Sequence, residues 1–433
     1  MIHFLRTRIR WVLIFWMFAV SAISYLDRVN ISIAGQSIAR DFHLNNTELG
    51  WVFSAFVVGY AIFQTPGGAL ADRLGPRNVL ALGVIWWGIF TCLITFLPGG
   101  AGWLALLIGI RFGLGMGEAV VYPASNCVVA SWIPSSERGI ANGIIFMGVG
   151  LGAGITPPLI TYVMLHYGWR WSFWVSAALG LVAGAIWYVL ARDTPAQHPW
   201  ISKEEEAYIE AGLPPASSPA EVRAKISWAS ILTNKDILVV TFSYFCYGYA
   251  AYIFFSWFFI YLSSVRGLNL RESSYYTMLP LLAMAAGSPL GGWLSDRFTR
   301  THGKRTGRCG VAAVGIGFSA IFIALGTQVS SAQLASLILA GGVGALYISQ
   351  SSFWSVSADI GGTAAGSVSG LMNMGGQIGG ALTASLTPVI AEHLGWTASF
   401  LVAAALCVAG SLAWLFVNPE SRLAKPRLGA SEI

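Results

Sequence analysis

The chain has 433 residues; 55% are hydrophobic, only 10% are charged, and the formal net charge is +6. A soluble domain carries about 25% charged residues, so there is too little charge here to coat a water-facing surface. The five cysteines (Cys92, Cys127, Cys246, Cys309, Cys407) are scattered, odd in number and without metal-ligand spacing, which argues against a disulfide framework and against a metal centre.

Apolar runs of about 20 residues suffice to cross a ~30 Å hydrocarbon core. Lipid-facing backbone must satisfy its own hydrogen bonds, so each run is expected to be a helix. In chain order they predict twelve spans: 9–36, 48–71, 77–97, 102–130, 138–166, 171–191, 236–263, 273–296, 308–326, 332–357, 363–391 and 396–417. The expected class is an all-α integral membrane protein.

The first run is too long for a signal-peptide core, and no small-residue cleavage site ends it, so it is read as a retained helix. It carries Tyr25, Asp27 and Arg28. Asp27 lies about 24 Å along the helix from Trp11. A charge inside the bilayer costs at least ~2.5–3.5 kcal/mol on insertion scales, so it is functional by default. Tyr25 and Arg28 share a face. Asp27 points about 100° away from Arg28, so the two need not pair.

The second span holds Tyr60 and ends in Gly67-Gly68-Ala69-Leu70-Ala71-Asp72-Arg73; Arg77 opens the third. The fourth enters from the opposite face near Trp103, which puts Arg111 ~12 Å and Glu118 ~22 Å deep, on one helix face. The first and fourth spans run antiparallel, so their four charges overlap in depth. One reading is a static network in which two acids and two arginines neutralise one another. The other is functional: arginine suits bidentate capture of a carboxylate, and a carboxyl beside it can exchange a proton as a substrate arrives and leaves.

Residues 192–235 form the one long polar segment, with Pro195, Pro199, Pro214, Pro215 and Pro219. Ser202-Lys203-Glu204-Glu205 is a capping-box pattern that opens a short amphipathic helix. The chain is therefore divided into a six-helix bundle over 1–191, a cytoplasmic linker over 192–235, and a second six-helix bundle with a short tail over 236–433.

The second half repeats the first. A shift of 227 aligns Gly139, Gly143, Gly148 and Gly152 with Gly366, Gly370, Gly375 and Gly379, and His166, Gly168 and Trp169 with His393, Gly395 and Trp396. A shift of 224 aligns Gly67–Arg73 with Gly291-Gly292-Trp293-Leu294-Ser295-Asp296-Arg297. Six helices per repeat preserve orientation, so the repeats are parallel, an arrangement that rocks about a midplane site. Glycines at this spacing let helices approach and move past a neighbour, or simply pack tightly.

The second half carries no comparable intramembrane charge. It offers Tyr244, Tyr247, Tyr252, Ser351, Trp354, Ser357, Asn373 and Gln377. Singly, a Tyr or Trp is more often packing or interface belt. Asn373 and Gln377, four apart, face the same way. Together these groups suit hydroxyls, so a ligand with a carboxylate at one end and hydroxyls along its body would satisfy both halves.

An even number of spans puts both termini on one face. Arg6, Arg8, Arg10, Arg73, Arg77, Arg138, the linker, Arg297–Arg308 and the tail Arg422–Arg427 share it; the other face has Arg40, Arg170, Arg266 and Arg271. The positive-inside rule then predicts cytoplasmic termini, and the basic excess is an orientation signal rather than a nucleic-acid surface. No nucleophile, metal cluster or acidic pair stands near a water-facing loop, which argues against an enzyme.

Gly68-Ala69-Leu70-Ala71-Asp72-Arg73-Leu74-Gly75-Pro76-Arg77 resembles the signature loop between the second and third helices of the major facilitator superfamily, and the repeat covers nearly the whole chain. The resemblance implies that Asp72, Arg73 and Arg77, with Asp296 and Arg297 of the second copy, latch the cytoplasmic gate. Asp72 is expected to face the N-terminus of the eleventh helix, and Asp296 that of the fifth near Arg138, where free N–H groups carry partial positive charge.

Tyr25-Leu26-Asp27-Arg28-Val29-Asn30, Arg111-Phe112-Gly113-Leu114-Gly115-Met116-Gly117-Glu118 and Ser351-Ser352-Phe353-Trp354-Ser355, with Asn373, resemble the anion:cation symporter branch, which includes carriers of hexuronates, aldonates, aldarates, sialic acid and vesicular glutamate. This implies that Arg28 and Arg111 act on the substrate anion or its coupling network. It makes Asp27 and Glu118 proton-coupling acids, and places Tyr60, Trp354 and Asn373 along the site. The further basic residues of the vesicular carriers are absent, which disfavours an amino acid. The expected function is proton-coupled symport of a small sugar acid across a bacterial inner membrane, by a monomer needing no cofactor beyond the proton gradient. Transport of an aromatic acid or dicarboxylate, or anion exchange, is the alternative.

Overall fold

The computed structural model describes residues 8–44, 46–97, 102–213, 228–258, 261–268 and 270–423. Among these there is no strand. Ten stretches are long and apolar enough to cross a membrane, and two of them, of 54 and 56 residues, each contain two helices. That makes twelve crossings, as the hydropathy pattern predicts.

The first half comprises α1 (Ile9–Phe42), α2 (Asn46–Leu74), α3 (Pro76–Leu93), a fourth crossing in two pieces, α4 (Trp103–Glu118) and α5 (Val121–Trp132), then α6 (Arg138–Tyr167) and α7 (Trp169–Leu190). The linker contributes α8 (Lys203–Gly212) and α9 (Trp228–Leu232). The second half comprises α10 (Lys235–Ser256), α11 (Leu270–Lys304), α12 (Val311–Gln328), α13 (Ala332–Gly361), α14 (Ala365–Leu394) and α15 (Trp396–Ala413). The start of α1 and the loops that follow Asp72-Arg73 and Asp296-Arg297 share one face, the basic face.

The fourth crossing breaks at Ala119 and Val120 for a local reason. Residue 123 is proline, so the Ala119 carbonyl loses its N–H partner one turn on. Glu118 ends the first piece, which leaves this buried acid beside an interrupted helix.

The halves meet where α2 packs on α14 and α6 on α11. The repeated glycines divide between two tasks. A Cβ on Gly143 would come 2.6 Å from the Ser288 carbonyl oxygen of α11, and one on Gly370 would come 2.6 Å from the Gln64 carbonyl oxygen of α2. These two permit contact between halves. Gly148 abuts Phe18 and Ser21 of α1, and Gly375 abuts Thr241 of α10, both within their own half. The run is therefore not one sliding face. Within each set the first two glycines, four apart, share a face, and the five-residue step to the third turns the next pair to a different neighbour.

In the linker, the Ser202 hydroxyl accepts from the Glu205 N–H at 3.1 Å and caps α8. The return bond of a capping box is absent. The Glu205 side chain instead accepts from the Ile9 N–H (2.8 Å) and the Arg10 guanidinium (2.9 Å), so the linker helix caps α1. Pro214, Pro215, Pro219 and Arg427 lie outside the described residues.

Candidate functional site

A cavity of about 40 Å³ lies between the halves. Tyr25 (α1), Tyr60 (α2), Tyr122 (α5) and Phe146 (α6) line it from the first half; Tyr244, Tyr247 and Tyr252 (α10), Tyr347 and Gln350 (α13), and Asn373 and Gln377 (α14) line it from the second. The Tyr252 hydroxyl donates to Gln377 Oε1 at 2.6 Å. Asn373 Nδ2 donates to Gln64 Oε1 at 2.8 Å and so ties α14 to α2 across the halves.

Five of the residues expected to bind substrate, Tyr25, Tyr60, Tyr252, Asn373 and Gln377, thus line one cavity, two from the first half and three from the second. Ser351 and Trp354 do not reach it. The Ser351 hydroxyl turns to the Ser288 carbonyl of α11 at 3.1 Å. The Trp354 indole N–H donates to the Tyr244 hydroxyl at 3.3 Å, and its ring packs on Phe146 at 5.0 Å. Trp354 therefore stands behind the wall and supports it. Helix α13 presents Tyr347 and Gln350 to the cavity and turns the neighbouring Ser351 toward α11, a rotation that residue type alone does not reveal. Ser357, another polar candidate, accepts from Asn126 Nδ2 at 3.1 Å between the halves.

The four intramembrane charges cluster beside the cavity, behind Tyr25 and Tyr60, and none of the four lines it. Arg28 Nε pairs with Glu118 Oε1 at 2.6 Å, and the Ser24 hydroxyl donates to the same oxygen. The Arg28 guanidinium rests on the rings of Tyr60 (4.1 Å), Tyr25 (4.8 Å) and Phe56 (5.3 Å), a stacking that suits its planar cation. Asp27 faces the other way and accepts from the Thr91 hydroxyl of α3 at 2.9 Å. Arg111 lies over Phe56 at 4.7 Å. Among the described residues only one of the possible ion pairs in this cluster is formed. Arg28 Nη2, Arg111 Nε, Asp27 Oδ1 and Glu118 Oε2 are buried without a partner. Two guanidinium nitrogens and two carboxyl oxygens of the cluster thus make no hydrogen bond to the protein.

The two motif acids lie at the basic face. Asp72 accepts from the Gly366 N–H (2.9 Å), the Ser367 N–H (2.8 Å) and the Ser367 hydroxyl (2.6 Å). It thereby caps α14, the eleventh crossing. Asp296 accepts from the Gly139 N–H (2.9 Å) and the Ile140 N–H (2.6 Å), capping α6, the fifth. Both acids bind the other half, at the helix ends expected.

The arginines of the two motifs do not cross. Arg73 and Arg297 are exposed. Arg77 stacks on Tyr188 at 4.2 Å and donates to the Tyr188 carbonyl at 3.0 Å, within its own half. The cations that do cross are others. Arg138 pairs with Asp359, and Arg308, which pairs with Asp296 at 2.7 Å, also donates to the Ser135 carbonyl at 2.6 Å. Lys304 completes the Asp359 site at 2.8 Å. Asp359 carried a usable signal, a lone acid in a long apolar stretch, but it falls just beyond the span drawn to 357. Gln350 and Gln64 carried none beyond being mid-helix amides.

Residues 17–384 match the family model of the Major Facilitator Superfamily. The chain is 35% identical over 413 residues to a probable sulfoacetate transporter of Cupriavidus necator, with 95% of this chain and 94% of that one covered. It is 31% identical over 412 residues to a hexuronate transporter of Bacillus subtilis, covering 94% of each. Among solved structures it is similar to the proton:xylose symporter XylE bound to 6-bromo-6-deoxy-D-glucose, with a TM-score of 0.76, 14% identity, and 95% of this chain and 97% of that chain covered.

Proposed function

The chain belongs to the major facilitator superfamily and is a multi-pass membrane transporter, and from that premise we propose that it carries a small organic anion, a sugar acid, together with a proton by alternating access. The observation that carries this reading is the Arg28–Glu118 pair with its unused Nη2 and Oε2. An anion that takes the Arg28 N–H groups competes with Glu118 for them. Deprived of its partner, Glu118 takes a proton, because an unpaired carboxylate in this setting is expensive. Anion and proton then arrive together.

Asp27 and Arg111 are the second acid and the second anion contact in this scheme. Tyr25 and Tyr60 hold Arg28 and yield as the anion enters. Tyr252, Asn373 and Gln377 receive the uncharged body, while Ser351 and Trp354 set the wall behind them. Asp72 and Asp296 latch the gate, with Arg73, Arg77 and Arg297 supplying the basic face. The reading includes a monomer in the inner membrane of a bacterium, with both termini cytoplasmic and no cofactor.

Identity to a hexuronate transporter supports a sugar acid. A second reading, a short sulfonated anion without hydroxyls, is favoured by the 35% identity to a probable sulfoacetate transporter. Uptake into proteoliposomes of hexuronates, aldarates and sulfoacetate, with and without an imposed pH gradient, separates the two. Glu118→Gln is expected to retain counterflow exchange and lose pH-driven accumulation. If that variant still concentrates substrate, proton coupling does not run through Glu118.

A further inference from the structure

Resting on the sugar-acid reading above, we propose that Gln350 is a specificity-determining residue that reads one hydroxyl group on the substrate body. Gln350 lines the cavity from α13 and is 2% exposed. One end of its amide is used, since Nε2 donates to the Tyr244 hydroxyl at 3.0 Å. The other end, Oε1, is buried and has no partner. Buried polar groups are almost always hydrogen-bonded, and an exception calls for an explanation.

The amide is not free to swing to another partner. The Tyr244 hydroxyl that holds it also accepts the Trp354 indole N–H at 3.3 Å. The Tyr244 ring is stacked on Tyr247 at 5.1 Å and met edge-on by Phe353 at 4.8 Å. Three aromatic side chains thus fix the tyrosine, and the tyrosine fixes the amide.

The chemistry of the free end selects the ligand group. With Nε2 bound to Tyr244, the amide presents an acceptor. Were it turned over, Tyr244 would donate to it and an N–H would be presented instead. A hydroxyl satisfies either arrangement, because it both donates and accepts. A carboxylate or sulfonate oxygen only accepts and matches the second alone. A methylene matches neither.

Position fits the same reading. Arg28 rests on Tyr25 and Tyr60, which line the cavity from the first half. Gln350 and Tyr244 line it from the second. A ligand whose charged end is drawn to Arg28 extends its body toward Gln350. A site built to hydrogen-bond a hydroxyl rejects analogues that lack it far more strongly than an apolar pocket rejects an extra group. Gln350 therefore separates hydroxylated acids from short anions that carry only a charge.

The test is a binding titration on the full-length protein in detergent, with D-glucuronate, D-galacturonate, D-glucarate, their monodeoxy analogues and sulfoacetate. Wild type is expected to bind at least one hydroxylated acid and to lose about 10- to 100-fold for one particular deoxy analogue. Gln350→Met should weaken the parent acid by a similar factor and leave that one analogue unchanged, abolishing the preference. Tyr244→Phe, which frees the amide, should reduce the same preference and serves if Gln350→Met does not fold. If either folded variant keeps the wild-type preference, or weakens all ligands equally, the assignment of Gln350 is wrong while the sugar-acid reading stands. If wild type binds sulfoacetate and none of the hydroxylated acids, the sugar-acid reading itself falls, and Gln350's role with it.

Discussion

Replacing Asp72 with asparagine removes one charge from the gate and almost no volume. The two carboxylate oxygens accept from two N–H groups and one hydroxyl of α14, and from the Cys127 thiol at 3.3 Å. Asparagine keeps one acceptor oxygen and turns an NH₂ group toward donors. Hydrogen bonds to a charged group contribute about 1.5–3 kcal/mol against about 0.5–1.5 for a neutral one. A carboxylate at a partly buried helix N-terminus adds up to ~2 kcal/mol. The closed gate should therefore lose about 2–4 kcal/mol, which raises the open-to-closed ratio about 30- to 1,000-fold. Cys127, buried under this contact, is the reporter. With the other four cysteines replaced by alanine, its maleimide labelling rate in Asp72→Asn should rise at least about 30-fold over the parent. Ser367→Ala removes one bond and keeps the carboxylate beside the thiol, so its smaller rise, about 5-fold, separates gate opening from a direct effect on Cys127. If both variants label at the parental rate, while all label fully once unfolded, Asp72 does not hold the gate and the hydrogen-bond reading fails.

The second copy of the motif should behave differently. Asp296→Asn strands Arg308, which is 0% exposed, and breaking a buried pair costs about 3–5 kcal/mol. Its melting temperature in detergent should fall well below that of Asp72→Asn, and Arg308→Met in the same chain should restore part of the loss. Glu205→Ala uncaps α1 and leaves Arg10 with Glu137 alone (3.2 Å); hydrogen exchange over 203–212 should accelerate while uptake falls less than in the gate variants. His198 donates from Nε2 to the Leu190 carbonyl at 2.9 Å and accepts the Trp200 N–H on Nδ1, and burial holds its pKa below the ordinary 6.5. Because the folded protein disfavours the charged form, its contribution is complete above about pH 6.5 and erodes as pH falls through the interval below. Exchange over 195–201 should therefore quicken on acidification, and His198→Gln should remove that dependence.

How much was legible from sequence can be judged residue by residue. Span length and hydropathy follow from composition along one helix, and lipid imposes them directly, so the crossings could be read in advance. The repeat carried Asp72 and Asp296 to their partners because six helices per copy put each acid opposite the start of a helix in the other half, and a helix N-terminus attracts a carboxylate whatever its side chains are. Asp27, Arg28, Arg111 and Glu118 were marked by the cost of charge in a bilayer. Which of them pair was decided by tertiary structure: Arg28 and Asp27 are adjacent in sequence, yet the helix turns one to Glu118 and the other to Thr91. The rotation of α13 likewise puts Gln350 in the wall and leaves Ser351 and Trp354 outside it. The crossing salt bridge of Arg138 with Asp359 joins residues 221 positions apart, and no local pattern announces it. Periodicity specifies which residues share a helix face, but only packing against neighbours decides where that face points.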